Sequence, residues 1–132
     1  MRLAQLTHQW MSRILKQIFK KKSKLDWNNL DSLDRLEEIR LRSFDVPQLL
    51  FKHSTRCSIS SMAKNRLDSG EAPKGLEIHY LDLIAYRDVS NEIAESFGVR
   101  HESPQVLLIK NGKSIFDASH SMIKWSSISA QV

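Results

Sequence analysis

The sequence predicts an α/β fold, with a central mixed four-stranded sheet flanked by helices. Three observations predict it. From Leu25 onward, stretches with apolar residues at helical spacing alternate with short apolar runs of strand length. The last two of these runs are joined by Asn111-Gly112, the dipeptide that tight hairpin turns prefer. The chain of 132 residues, 41% hydrophobic and 27% charged, has the size and composition of one globular domain able to bury a core without disulfides.

Each element follows from its own stretch. DSLDRLEEIRLRSF sets Leu33, Leu36, Ile39 and Arg40 at helical spacing, with Asp31 suited to the N-cap. VPQLLFKH, Val46 to His53, is an apolar run with a proline at its mouth and reads as a buried strand. CSISSMAKNRLDSG aligns Ile59, Met62, Ala63 and Leu67 as one helical face and stops at Gly70. GLEIHYLDL alternates Leu76, Ile78 and Tyr80 with Glu77 and His79, a second strand. RDVSNEIAESFGV places Val89, Ile93, Ala94 and Phe97 on one helical side before Gly98. PQVLLIKNGKSIFDAS is the hairpin, and a last helix is expected from Ser121 through Ile128. The order is then α-β-α-β-α-β-β-α. Strands separated by helices run parallel, and the hairpin adds an antiparallel edge. This is the layout of the thioredoxin fold, although small α/β domains share much of it.

Charge divides the chain unevenly. The net charge is +5, but residues 1–24 hold seven of the 20 basic residues and no acidic one, leaving 13 basic against 15 acidic residues beyond. The basicity therefore belongs to an N-terminal tail, residues 1–25, and not to the domain expected over residues 26–132. Nucleic-acid binding calls for basic residues spread over a folded face, so no nucleic-acid partner is expected. In the tail, Leu3, Leu6, Trp10, Ile14 and Ile18 fall along one side of a helix, with Arg2, Arg13, Lys16 and Lys20 off that stripe. A basic amphipathic helix suits weak contact with an anionic membrane surface. Met11 stands as an alternative start that would shorten the stripe. No stretch approaches the ~20 apolar residues that span a bilayer, and no secretory signal is visible, so a reducing cytoplasm is the expected compartment.

Cys57 is the single cysteine. It can close no internal disulfide and cannot alone build a tetrahedral zinc site. It is either a packing residue or a thiol that works alone. Its place, after the first strand of this βα unit and opening the next helix, favours work. Free backbone N–H groups and the helix dipole stabilise a thiolate there, and Arg56 adds positive charge next door. Ser103-Pro104 stands just before the third strand, where a proline is tolerated. In a thioredoxin-like arrangement that proline is cis and packs beside the active cysteine.

FKHSTRCSIS, the tryptophan of DWNNL, and SPQVLLIKNGK followed by SHS resemble the YtxJ family, also called monothiol bacilliredoxins, over roughly residues 26–125. The resemblance implies a thioredoxin-like fold and removal of bacillithiol, a low-molecular-weight thiol carrying a malate group, from S-thiolated proteins. Bacillithiol is then a co-substrate, and no cofactor or metal is expected. One departure is Ser58, where several relatives have proline directly after the cysteine.

The chemistry also follows from the residues. Cys57-Ser58-Ile59-Ser60 occupies the register of a C-x-x-C motif, with a hydroxyl at the resolving position. Such a protein must pass its mixed disulfide to a second thiol molecule. Ser60 is a candidate donor to the thiolate or a helix cap. His53 and Lys52 end the first strand near the thiol and either orient substrate or serve structure. Ser103 offers backbone for strand-like pairing with the incoming thiol's cysteine moiety. Ser119, His120 and Ser121, expected to begin the final helix, are candidate anion binders. His8, His79 and His101 lack partners at metal spacing, and Trp27 and Trp125 read as packing residues. Two other functions compete: an iron–sulfur carrier resembling monothiol glutaredoxins, weakened by Ser58 where those proteins have glycine, and a redox-silent binding module.

Overall fold

The computed structural model describes residues 25–132, so the tail helix expected within residues 1–24 lies outside the described residues. The described chain forms a five-stranded sheet in the order β1-β3-β2-β4-β5. Strand β1 is Asn28–Asn29, β2 Gln48–His53, β3 Glu77–Asp82, β4 Gln105–Lys110 and β5 Lys113–Ser119. Helices α1 (Leu33–Arg42), α2 (Ser58–Asp68), α3 (Arg87–Phe97) and α4 (Trp125–Ser129) complete the element set, with a 3-10 turn at His120–Met122. Strands β1 and β2 both run parallel to β3, while β4 runs antiparallel to β2 and to β5. The expected four-stranded mixed sheet is present, but β4, expected parallel because a helix separates it from β3, joins the other side of β2 antiparallel. The sheet is extended by the two-residue β1, which is too short to show a period in the sequence.

Alternation along β2 divides the core. Leu50 packs with Leu36, Ile39, Val89, Ile93 and Leu107 on the face covered by α1 and α3. Leu49 and Phe51 pack with Ala63, Leu67, Val106 and Ile128 on the face covered by α2 and α4. Leu25, the last residue assigned to the tail, packs against this second core. All of β2 is buried because it has strands on both sides and helices on both faces.

Local departures have local causes. Ser32, not Asp31, caps α1: its hydroxyl accepts from the Arg35 N–H at 3.1 Å. The buried stripe of α2 is Ser60, Ala63 and Leu67. Its small residues bring the helix close to the sheet and rotate Ile59 and Met62 outward, where they are 55% and 64% exposed. The final helix is not continuous. His120 adopts φ 56°, the left-handed region, and Ile123 and Lys124 are extended, so α4 begins only at Trp125. The hairpin turn uses Asn111 and Gly112 with φ 53° and 75°, as a type I′ turn requires.

Candidate active site

Cys57 is the N-cap residue of α2, extended at φ −111° and half-buried. Its N–H donates to Ser54 O at 3.2 Å and its carbonyl accepts from Ser61 N–H at 3.0 Å, so the thiol stands where the loop becomes helix. Arg56 beside it is exposed. The site thus places a half-buried cysteine at the positive end of an eleven-residue helix.

Ser60 lies one turn on, fully buried. Its hydroxyl accepts from the Ser54 N–H at 3.0 Å and is hydrogen-bonded to His53 Nδ1, 2.6 Å away. The Ser60 hydroxyl, expected as a donor to the thiolate, is paired among the described residues with Ser54 and His53 and not with the Cys57 sulfur. Burial, aided by the nearby Lys64 charge, pushes the His53 pKa down. The ring lies against Phe51 and Tyr80, with centroids 5.6 and 5.4 Å away. His53 and Ser60 together hold the loop that ends at Cys57.

The other half of the site comes from β4 and β5. The Ser103–Pro104 bond is cis, as the fold reading expects. Lys52 pairs with Gln105 across β2 and β4, and one further step of that register sets Pro104 opposite His53. The Ser103 hydroxyl is buried with no hydrogen-bond partner among the described residues. Ser119 pairs with Gln105, and the His120 N–H donates to Pro104 O at 3.1 Å. Cys57, His53, Ser60, Ser103, Pro104, Ser119 and His120 therefore share one end of the sheet. Ser121 is exposed within the 3-10 turn. That turn spans three residues, so the expected start of the final helix at Ser119, His120 and Ser121 is replaced by a 3-10 turn whose His120 N–H is already taken by Pro104 O.

Sequence reasoning named Lys52 but missed Met122 and Gln105. Met122 is 58% exposed. Its turn is tied to α2 by Arg66, which donates to Ile123 O at 2.6 Å. With Ile59 and Met62, Met122 adds apolar surface on the thiol side of α2. Lys52 and Gln105 are both buried and hydrogen-bonded, at 3.2 Å. A lysine inside an apolar strand was the visible signal for the first; nothing in the sequence marked the second. A hollow of about 540 Å³, lined by Leu25, Gly70, Glu71 and Ile78 among others, opens past the far end of α2 from Cys57. No group of three or more His, Cys, Asp or Glu that could hold a metal occurs among the described residues.

This geometry meets its relatives at the level of whole-chain pattern. The profile of the family described as monothiol bacilliredoxin BrxC matches residues 28–128. The chain belongs to that family. Among solved structures, a candidate oxidoreductase with a thioredoxin fold is similar at 29% identity and TM-score 0.69, over 78% of this chain and 90% of that one. A Malassezia sympodialis thioredoxin matches at 15% identity and TM-score 0.62, over 80% and 86%. Saccharomyces cerevisiae mitochondrial thioredoxin 3, in its oxidised form, matches at 16% identity and TM-score 0.61, over 83% and 95%. The last two speak for the fold alone. This monothiol bacilliredoxin is a thiol–disulfide oxidoreductase of thioredoxin fold, and Cys57 is the only thiol it has for that chemistry.

Proposed function

We propose that the protein removes bacillithiol, or a closely similar low-molecular-weight thiol, from mixed disulfides on other proteins. The observation that carries this reading is the pairing of a lone half-buried cysteine at a helix start with a buried serine in the resolving position. The Cys57 thiolate attacks the small-thiol sulfur of the mixed disulfide. The target protein's sulfur leaves as thiolate and takes a proton, and Cys57 carries the adduct. A second small-thiol molecule, as thiolate, then attacks that adduct, releasing a symmetrical small-thiol disulfide and restoring the Cys57 thiolate. Across both steps, the mixed disulfide and one free small thiol give the target thiol and the symmetrical small-thiol disulfide, with no cofactor.

In this reading Ser103 and Pro104 supply backbone beside the bound cysteine moiety, Arg56 adds charge near the thiolate, and His53 and Ser60 hold the loop. Ser119 and His120 lie beside Gln105 and Pro104 at the same end of the sheet. The partners are S-thiolated proteins and the small thiol itself, and the compartment is the cytoplasm, where thiols stay reduced. No described helix is long and apolar enough to cross a membrane. The test is release of bacillithiol from a bacillithiolated model protein, with a glutathionylated control of the same protein. Release from the first at a rate well above the second is expected. Equal rates would remove the bacillithiol specificity, and no release from either would remove the activity.

A further inference from the structure

Lys52 is the only lysine, arginine, aspartate or glutamate among the described residues that is buried, at 0% exposure. Alternation along β2 puts it on the opposite face from Phe51 and His53, so it does not belong to the layer that holds the Cys57 loop. Its ammonium donates to Gln105 Oε1 at 3.2 Å. Because an ammonium only donates, that contact fixes the orientation of the Gln105 amide. The same oxygen accepts from the Glu102 N–H at 3.4 Å, and Gln105 Nε2 donates to Arg100 O at 3.0 Å. One buried side chain therefore grips the backbone of the loop before β4 at two points, and that loop ends at Ser103 and the cis Pro104.

We propose that Lys52 and Gln105 form a latch that sets the position of residues 100–104, which makes Lys52 a positioning residue for substrate recognition at Ser103–Pro104. The proposal rests on the functional reading above only for what the loop recognises. Burial pushes the Lys52 pKa down to about 8, against the pull of the Glu102 carboxylate, so the ammonium is still mostly charged at neutral pH. His101 and Arg87 are the other titratable groups bearing on this cluster. A charged group held in a core at a cost, where a methionine would pack, fits a task other than stability.

The test compares wild type with Lys52→Met, Gln105→Leu and the double variant, using two readouts. The first is amide hydrogen exchange over residues 100–105 in the substrate-free protein. The second is kcat and KM for release of bacillithiol from a bacillithiolated protein. Each single variant is expected to speed exchange at Glu102 by about tenfold and to raise KM by about tenfold with kcat within about twofold, as for loss of one charge-assisted contact that orders the site. The double variant should add nothing further, because the two residues act as one unit. Unchanged exchange in Lys52→Met, additive effects in the double variant, or a fall in kcat at constant KM would each overturn the latch. A wild type that releases no small thiol would instead overturn the functional reading, and the exchange measurement alone would then decide the latch.

Discussion

Ser60 and Cys57 are three residues apart, and their different surroundings divide their work. Cys57→Ala is expected to abolish release of the small thiol while circular dichroism and the unfolding midpoint stay close to wild type, since no other sulfur can carry the exchange and the thiol makes no cap bond. Ser60→Cys is expected to do two things at once. Positions one turn apart lie about 5–6 Å from each other, within disulfide reach, so mild oxidation should close a bridge to Cys57, seen as loss of free thiol by mass. The reduced variant should be less stable by about 1–2 kcal/mol, because a thiol is a weak partner for the Ser54 N–H and His53 Nδ1. His79 gives a prediction in pH. Its Nε2 lies 2.6 Å from Gln48 Oε1, and Gln48 Nε2 donates to Val46 O and Glu77, so the oxygen must accept and the histidine is the Nε2–H tautomer. Burial pushes its pKa from 6.5 to about 4. The unfolded chain then takes up a proton that the folded chain refuses, so stability falls as pH drops from 6.5 towards about 4 and levels off below. His79→Gln should remove that part of the slope, worth about 3 kcal/mol at most, when urea midpoints at several pH values are compared. Cys57 and the cis proline were legible in the sequence because each sits at a punctuation point between elements. The partner of the Ser60 hydroxyl was not, because His53 reaches it only once β2 and α2 are packed together.

Helix α2 shows what an element contributes. Its first residue follows the thiol, while its far end is held by two indoles: Trp27 Nε1 donates to Asp68 Oδ1 at 2.7 Å and Trp125 Nε1 to Leu67 O at 2.9 Å. A Cβ on Gly70 would come within 2.5 Å of the Trp125 ring, so Gly70→Ala must displace that indole. The variant is expected to lose about 1–3 kcal/mol in urea unfolding and to shift its tryptophan emission. Iodoacetamide should still alkylate Cys57 at the wild-type rate, since the displaced contact lies at the opposite end of the helix. The order of helices and strands was legible, as was the hairpin, since period and turn chemistry are local. Which side of α2 faces inward was not. Ile59 and Met62 share a helical stripe with Ala63 and Leu67, and a sequence pattern weights a large apolar residue above a serine. The sheet instead accepts the side with the smallest residues, which lets the backbone approach. The two-residue β1 and the break before Trp125 escaped for the same reason: both depend on neighbours distant in sequence.

Across the whole molecule, the two ends of the sheet have separate duties. The end reached by β2 carries the thiol and the Ser103–Pro104 loop, and the other carries the Gln48, Glu77 and His79 network. The basic tail bears on neither in the sequence reading. Full-length protein is expected to co-sediment with anionic vesicles at low salt and a variant beginning at Leu25 is not, each lysine near such a surface contributing about 1 kcal/mol. Release of the small thiol should survive the truncation. The buried serine below Cys57 has a wider consequence. A dithiol protein stores its two electrons internally and can leave a reaction either charged or spent. This chain has one thiol and nowhere to fold an oxidising equivalent away, so in the proposed reaction its resting state is set from outside, by the ratio of free small thiol to its disulfide. The fraction of Cys57 carrying an adduct then follows that ratio, rising as the surrounding pool becomes more oxidised.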